Sequence, residues 1–193
     1  MAQSGELNSG GGLHGFIHAA LNQLAYGAVP FVRASFEEER PFNEIDWLFD
    51  AFTPNHVSNR ASRAQGRALL ASAERTFAKS SLTELRETVL HHELPGHFAP
   101  VFGAVARALD LNRDAVLRLF VFVQVRGWIS SAVRLGIVGP LQGQAIQHHL
   151  AAHAQAIVDL GSGCSLDDTA QTAPLLDLFQ GTHDRLYSRL FQS

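Results

Sequence analysis

The feature that most constrains the fold of this chain is an apolar stripe with helical spacing in the segment FAPVFGAVARAL, residues 98–109. The apolar residues recur at i, i+3, i+4, i+7 and i+11, which places them on one face of an α-helix. Similar spacing recurs along most of the chain, and FVFVQV, the only strand-like segment, has helical flanks. The sequence therefore predicts an all-α protein. The stripe consists of Phe98, Val101, Phe102, Val105 and Leu109.

Caps and helix breakers divide this helical pattern into separate elements. Asn55 and Asn112 each precede a long helical segment and are expected to cap it. Pro30 is expected to end the first helix, because a proline disfavours helical backbone in the residue before it. Pro140 is expected to open a further helix that runs to about Leu160.

Composition limits the class of protein. Hydrophobic residues make up 46% and charged residues 17% of the 193-residue chain, which suits one domain with a real core. The net charge of −3 gives no field that attracts nucleic acid, and arginines interrupt the most apolar segment, residues 117–139. We expect neither nucleic acid nor membrane as a partner. We predict a flexible leader, residues 1–12, and a single all-α domain of roughly seven to eight helices, residues 13–193.

Cysteine usage indicates the compartment. Cys164 is the only cysteine, so the chain has no internal disulfide and no zinc site built from several cysteines. The N-terminal segment lacks the basic start, apolar core and small-residue cleavage site of a signal peptide. We therefore expect a cytoplasmic protein in a reducing environment.

The segment HHELPGHFAP, residues 91–100, raises the question of a metal site. A zinc protease helix needs His-Glu-x-x-His, whereas His92 and His97 are five residues apart. Pro95 and Gly96 also lie between them, and this pair breaks a helix. We therefore expect the histidines to be structural, at the join of two helices. The alternative is a small metal-dependent enzyme that uses His91, His92, Glu93 and His97.

A second histidine cluster contains His148, His149 and His153. His149 and His153 are one helical turn apart, so they are either solvated surface residues or weak metal ligands. The sequence contains no phosphate-binding loop and no Gly-x-Ser-x-Gly nucleophile elbow. We therefore assign no catalytic residue and no metal ligand, and we expect the protein not to be an enzyme.

One arginine pattern also needs an interpretation. Arg60, Arg63 and Arg67 are spaced i, i+3 and i+7, so they form a basic ridge on one helix face. The ridge is either an ordinary solvated face or a docking surface for an acidic partner.

Four segments in the same order resemble the urease accessory protein F family: NHVSNRASRAQGRALL, LPGHFAPVFGAVARALDL, SSAVRLGIVGPLQGQ and the ending HDRLYSRLFQS. The resemblance covers residues 16–193. It implies an all-α scaffold without a catalytic centre, which dimerises, binds a second accessory protein (D or H) and recruits the GTPase accessory protein G. The assembly supports nickel insertion into apo-urease. The resemblance also implies that this chain binds no cofactor, because the complex handles nickel and GTP.

The resemblance implies roles for particular residues. The matching tail becomes ordered when the second accessory protein binds, and Arg189 helps to shape the surface that receives the GTPase. The expected partner-binding residues are Arg60, Arg63, Arg67, Arg185, Tyr187, Arg189, Leu190 and Phe191. The expected packing residues are Pro95, Gly96, His97, Gly103, Ser131, Arg134 and Gly136.

The beginning of the chain departs from the family pattern. Family members start with an additional segment similar to D-x-x-x-P-x-G-G-F-x-H-S, which leads into the first helix. Here a Gly/Ser leader precedes HGFIHAALNQLAYGAVPFV, which resembles the second helical region of the family. We expect the loss of the first element to expose the apolar face that it covers.

Overall fold

Helices dominate the part of the chain that the computed structural model describes, residues 10–181. No strand occurs in these residues, which confirms the all-α prediction. A π-helical turn, Leu24–Ala28, connects α1 to α2, and a 3-10 turn, Leu166–Asp168, follows α9. The α-helices are α1 (Gly10–Gln23), α2 (Val29–Glu37), α3 (Phe42–Phe52), α4 (His56–Phe77), α5 (Ser80–His91), α6 (Phe98–Ala108), α7 (Arg113–Arg134), α8 (Pro140–His149), α9 (Ala151–Gly163) and α10 (Pro174–Gly181).

The predicted end of the first helix at Pro30 is wrong, because α2 continues through this proline to Glu37. A proline inside a helix removes one hydrogen bond and crowds the carbonyl four residues earlier. That carbonyl belongs to Tyr26 in the π-helical turn, and it accepts a hydrogen bond from the backbone nitrogen of Ala170 at 3.0 Å. The carbonyl that Pro30 leaves without its helical donor is therefore satisfied by a distant loop.

Two other predicted boundaries differ from the structure, and the described residues contain more helices than predicted. The helix that opens at Pro140 ends at His149, and α9 begins at Ala151. No proline or glycine marks this change of direction, so the sequence carries no signal for it. Helix α1 begins at Gly10, inside the predicted leader, although glycine has low helix propensity. Burial of Leu13 in the next turn stabilises this start.

The chain divides into two compact units by its internal contacts. Unit 1 contains residues 1–30 and 117–173, and unit 2 contains residues 31–116 and 174–193. In unit 1, α1, the π-helical turn, α7, α8 and α9 contribute apolar side chains to the interior. The buried side chains of this unit include Leu13, Ile17, Leu21, Leu24, Phe120, Val121, Val125, Ile146, Ile157 and Val158.

Helix α9 of unit 1 packs closely against the π-helical turn. A Cβ added at Gly161 would lie 2.7 Å from Val29 Cγ1 and 2.9 Å from the carbonyl oxygen of Ala25, so this position has no room for a side chain. The segment after α9 is also fixed. Gln23 Oε1 accepts hydrogen bonds from the backbone nitrogens of Thr172 at 2.6 Å and Ala173 at 3.1 Å. Unit 1 is thus closed by contacts between its first helix and its last residues.

In unit 2, the long helix α4 packs against α5, α6 and α10, and α6 also packs against α3. Asn55 caps α4 as predicted, since its Oδ1 accepts hydrogen bonds from the backbone nitrogens of Val57 and Ser58. The predicted cap at Asn112 is also confirmed, by a bond from the Ala115 nitrogen at 3.2 Å. An apolar cluster fills the interior of this unit: Leu70, Ala73, Leu82, Val89, Leu94, Val101 and Val105.

Candidate functional site

The histidine-rich segment of unit 2 forms the end of α5, a loop and the start of α6. Pro95 and Gly96 lie between the two helices, and Gly96 has a φ of +68°, a backbone conformation that favours glycine. His91 and His92 are exposed, whereas His97 is 0% exposed. His97 is therefore in a buried environment, unlike the other two histidines.

Asp46 of α3 connects that helix to this loop. Its side chain is fully buried, and its two oxygens accept hydrogen bonds from the backbone nitrogens of Gly96 at 2.7 Å and His97 at 2.8 Å. Both N–H groups lie at the N-terminus of α6, where the free donors and the helix dipole favour a carboxylate. Asp46 therefore satisfies donors that α6 cannot satisfy itself.

The imidazole of His97 has a partner at each nitrogen. Nε2 lies 2.9 Å from Asp50 Oδ1, and Nδ1 lies 3.1 Å from Ser62 Oγ. Ser62 Oγ also accepts a hydrogen bond from the Phe98 nitrogen at 3.2 Å. This leaves the hydroxyl hydrogen to be donated to Nδ1, so the neutral tautomer with hydrogen on Nε2 fits both partners. We call Asp46, Asp50, Ser62 and His97 the polar hub.

Burial and hydrogen bonding shift the titration of the polar hub. Burial raises the pKa of Asp46 above its ordinary value, against the opposing effect of its backbone donors. Burial lowers the pKa of His97, although its bond to Asp50 opposes this shift. Partial burial raises the pKa of Asp50, but hydrogen bonds from Arg63, Asn59 and His97 outweigh it and lower the pKa to about 2. Asp50 is therefore charged and His97 neutral near neutral pH.

This arrangement supports a structural role for the polar hub. Both nitrogens of His97 are engaged, so the ring has no free lone pair for a metal. Within residues 10–181, no group of three or more His, Cys, Asp or Glu side chains is placed to hold a metal ion. The hub joins α3 to the start of α6 through hydrogen bonds to carboxylates, which are stronger than neutral ones, and it joins α4 through the neutral bonds of Ser62.

Two arginines of the predicted ridge make contacts within unit 2, and the docking role of the ridge stays a prediction. Arg63 Nη2 lies 2.5 Å from Asp50 Oδ1. Arg67 donates to the carbonyl oxygens of Pro95 and Leu94, each at 3.0 Å. Arg60 is exposed. Two of the three arginines therefore support the polar hub and its loop.

Two glycines in unit 2 allow close helix packing. A Cβ added at Gly103 would overlap the carbonyl oxygen of Val32, which places this predicted packing residue against α2. A Cβ added at Gly66 would overlap the carbonyl oxygen of Gly96. Gly66 is not among the residues predicted from the sequence, although a glycine in the middle of a helical pattern is itself a signal of close approach.

Three further predicted packing residues lie in unit 1, at the end of α7. The Ser131 hydroxyl donates to the carbonyl oxygen of Gly127 at 3.0 Å, and Arg134 is the exposed last residue of α7. Gly136 has a φ of +69° directly after the helix, where it allows the chain to turn. These residues lie at or just after the end of α7.

The sequence contains a signal for the polar hub that is absent from the predictions above. Asp46 and Asp50 are four residues apart in NEIDWLFDAF, on a helix whose other residues are mostly apolar. Carboxylates at that spacing beside Ile45 and Phe49, both buried, indicate polar partners inside the fold. Only the structure identifies these partners. Asp46 accepts hydrogen bonds from the backbone of Gly96 and His97, and Asp50 bonds to the His97 ring, whose other nitrogen contacts Ser62.

Helix α10 of unit 2 precedes the predicted partner-binding tail. Asn55 Nδ2 donates to the carbonyl oxygen of Asp177 at 2.6 Å, which holds α10 on α4. On its other face, Leu175 is 66%, Leu178 64% and Phe179 48% exposed. Unit 2 therefore presents an apolar surface, which we call the α10 face. The predicted tail residues Arg185, Tyr187, Arg189, Leu190 and Phe191 lie outside the described residues.

Helix α7 is the only helix within residues 10–181 that is long and apolar enough to cross a membrane. This criterion considers only helix length and composition, and a buried core helix of a soluble protein also meets it. Phe120 and Val121 of α7 are buried, while Leu119 and Phe122 are 45% exposed. The expectation that no membrane partner exists stays a prediction.

Comparisons with known proteins agree on one family. The UreF family model matches residues 7–151. The chain is 34% identical to urease accessory protein F of Oryza sativa subsp. indica over 193 residues, which covers 98% of this chain and 74% of the rice protein. It is 33% identical to urease accessory protein F of Arabidopsis thaliana over 177 residues, covering 90% and 74%. It is 27% identical to urease accessory protein UreF of Corynebacterium efficiens over 173 residues, covering 89% and 76%.

Proposed function

Since this chain belongs to the UreF family, we propose that it is the scaffold of a complex that supports nickel insertion into apo-urease. It is a urease accessory protein and not an enzyme, and it associates with other urease accessory proteins. Under the proposal, those partners are the second accessory protein (D or H), the GTPase accessory protein G and apo-urease. The protein acts as a homodimer in the cytoplasm.

The α10 face is the observation that carries this proposal. Leu175, Leu178 and Phe179 are all exposed on a helix of eight residues, and a contiguous apolar surface of this kind is typical of a protein–protein interface. The second accessory protein covers this face. The tail that follows α10 extends the interface with Tyr187, Leu190 and Phe191.

Arginines supply the second contact in the proposal. Arg189, with Arg185 four residues earlier in the sequence, shapes the surface that receives the GTPase once the second accessory protein is bound. Arginine suits this role because its planar group binds carboxylates through two hydrogen bonds. In the ridge, Arg60 takes part in docking, while Arg63 holds Asp50 of α3 and Arg67 holds the loop before α6.

The scaffold role requires no cofactor in this chain. Nickel and GTP are handled by the complex, with the nucleotide bound by the GTPase. The hydrogen bonds of His97 support the proposal that nickel and GTP are bound by other members of the complex. Both ring nitrogens are engaged by Ser62 and Asp50, which gives His97 a structural role.

A pull-down of the second accessory protein tests the α10 face. Leu178→Glu places a charge on this face, and we expect recovery of the partner to fall at least about tenfold, or 1.4 kcal/mol. Leu141→Glu is the matched control, because Leu141 is an 87% exposed leucine in unit 1. Equal recovery with the two variants would show that the partner binds elsewhere.

The Arg189→Ala variant tests the arginine contact. Binding of the second accessory protein should be unchanged, while recruitment of the GTPase should weaken by roughly 1.5–3 kcal/mol, the range for a hydrogen bond to a charged group. A pull-down of the three-protein complex measures both. Full recovery of the GTPase with Arg189→Ala would show that this arginine is not needed for docking of the GTPase.

A further inference from the structure

Unit 1 contains a histidine pair that is built from two different helices. His18 of α1 and His153 of α9 have ring centroids 4.4 Å apart, with an angle of 88° between the ring planes. Both side chains are exposed. His153 is close to His148 and His149 in sequence, but the structure places its ring against His18.

Two other histidine pairs provide a comparison. The ring centroids of His91 and His92 are 5.2 Å apart, and those of His148 and His149 are 5.9 Å apart. In both pairs the residues are sequence neighbours near a helix end, and neighbouring helical residues do not face each other. Packing of α1 against α9, by contrast, holds the two rings of the first pair together.

We propose that His18 and His153 chelate a divalent first-row transition metal ion such as Cu²⁺, Ni²⁺ or Zn²⁺. Imidazole nitrogen is a preferred ligand of these ions and a poor one for Mg²⁺ or Ca²⁺. With metal–nitrogen distances of about 2.1 Å, the centres of two imidazoles are roughly 4.5 Å apart when they meet the ion at a right angle, and roughly 5.2 Å apart around a tetrahedral ion such as Zn²⁺. The observed 4.4 Å is close to the right-angle value, which suits Cu²⁺ and Ni²⁺, and exposed side chains rotate their rings readily.

The site provides two protein ligands, and water completes the coordination. No third His, Cys, Asp or Glu within residues 10–181 is placed to join them. The bound ion is exchangeable and has no catalytic role. Its physical effect is to link α1 to α9 and so to stabilise unit 1, since a ligand that binds only the folded state raises its stability.

Titration of the tag-free protein with NiCl₂ tests the site, with calorimetry for affinity and thermal unfolding for stability. The wild type should bind one Ni²⁺ and unfold at a higher temperature with the metal than without it. His18→Ala and His153→Ala should each bind at least about tenfold more weakly, since even indirect partners of a metal site contribute 10–100-fold. CuCl₂ should bind more tightly than NiCl₂, and MgCl₂ should not bind.

The control is the double variant His91→Ala/His92→Ala, which removes an exposed pair of neighbouring histidines and should keep the wild-type affinity. Both single variants should unfold at the wild-type temperature without metal, because neither ring is buried. Wild-type affinity in His18→Ala or His153→Ala, weakened binding in the double variant, or no binding by the wild type would overturn the proposal. These experiments use this chain alone, so their outcome is independent of the complex in the proposed function.

Discussion

The two units of this protein bury different kinds of side chain. Among the described residues, the buried polar or charged side chains are Ser35, Asp46 and His97, and all three lie in unit 2. The described interior of unit 1 is apolar, and its histidines are at the surface. Polar links in unit 1, such as those of Gln23, lie near the surface instead.

This difference shows two ways of fixing helices in one all-α chain. Apolar packing accepts many arrangements of similar energy, whereas a buried hydrogen-bond network is favourable only when every partner is in place. In unit 2, Asp46 and His97 allow one placement of α3 and α4 relative to the start of α6. A surface that must fit a partner gains from this specificity.

The largest expected effect comes from removing the buried carboxylate of unit 2. Asp46→Ala leaves two buried N–H groups without an acceptor, and we expect the free energy of unfolding to fall by roughly 2–6 kcal/mol, at about 1–3 kcal/mol for each unsatisfied donor. Urea denaturation measures this. Asp159→Ala, at an exposed position in unit 1, should change it by less than about 0.5 kcal/mol. Similar losses of stability in both variants would show that the buried carboxylate of unit 2 contributes no more than an exposed carboxylate of unit 1.

Two glycine substitutions should change the free energy of unfolding in opposite directions. Gly103→Ala adds a Cβ that overlaps the backbone of α2, so we expect a loss of about 1–3 kcal/mol, and Gly103→Leu should be at least as damaging. Gly127 is a helical glycine on α7 with no atom within 4 Å of an added Cβ. Gly127→Ala should therefore stabilise the protein by about 0.5–1 kcal/mol. The melting temperatures of the two variants decide, and an unchanged value for Gly103→Ala contradicts the close packing.

The smallest expected effect is a dependence of stability on pH. Because the pKa of folded His97 lies below 6.5, the unfolded chain binds the proton more readily, and stability decreases as pH falls from 6.5 toward the folded pKa. The slope from one group cannot exceed about 1.4 kcal/mol per pH unit. Asp50 adds no slope here, since its pKa is about 2.

His97→Gln tests this dependence in unfolding experiments between pH 7.5 and about pH 5, a window set by the ordinary histidine value. The difference in stability between wild type and variant should be largest at the upper end and should shrink as pH falls. His91→Gln, at an exposed position, should follow the wild type throughout. Parallel curves for wild type and His97→Gln would mean that His97 does not titrate differently in the folded state.

Local signals predicted the fold class and many of the helix boundaries. Periodic apolar residues, the caps at Asn55 and Asn112 and the break at Pro95 and Gly96 act within a few residues, so a sequence displays them directly. The error at Pro30 had a different origin. The partner that satisfies the Tyr26 carbonyl is Ala170, and no local pattern shows that it lies there.

The site residues were less predictable for the same reason. Gly103 was among the predicted packing residues, but the roles of Asp46 and Ser62 depend on their hydrogen bonds to His97, which is distant in sequence. The arginine spacing predicted a shared face correctly, but it could not show that Arg63 and Arg67 find acceptors in α3 and in the loop before α6. Residues whose partners are distant in sequence require the three-dimensional structure.

The bonds between Gln23 and Ala173 also have a consequence for the time course of synthesis. These residues are 150 positions apart, and the Tyr26 carbonyl likewise gains its hydrogen bond only when Ala170 has been synthesised. At a translation rate of 5–20 residues per second, the ribosome needs roughly 8–30 s to add that length of chain. During this interval the ribosome has synthesised the segment around Pro30 but not the segment that completes its hydrogen bonding. Unit 1 therefore closes only when nearly all of the protein has been made.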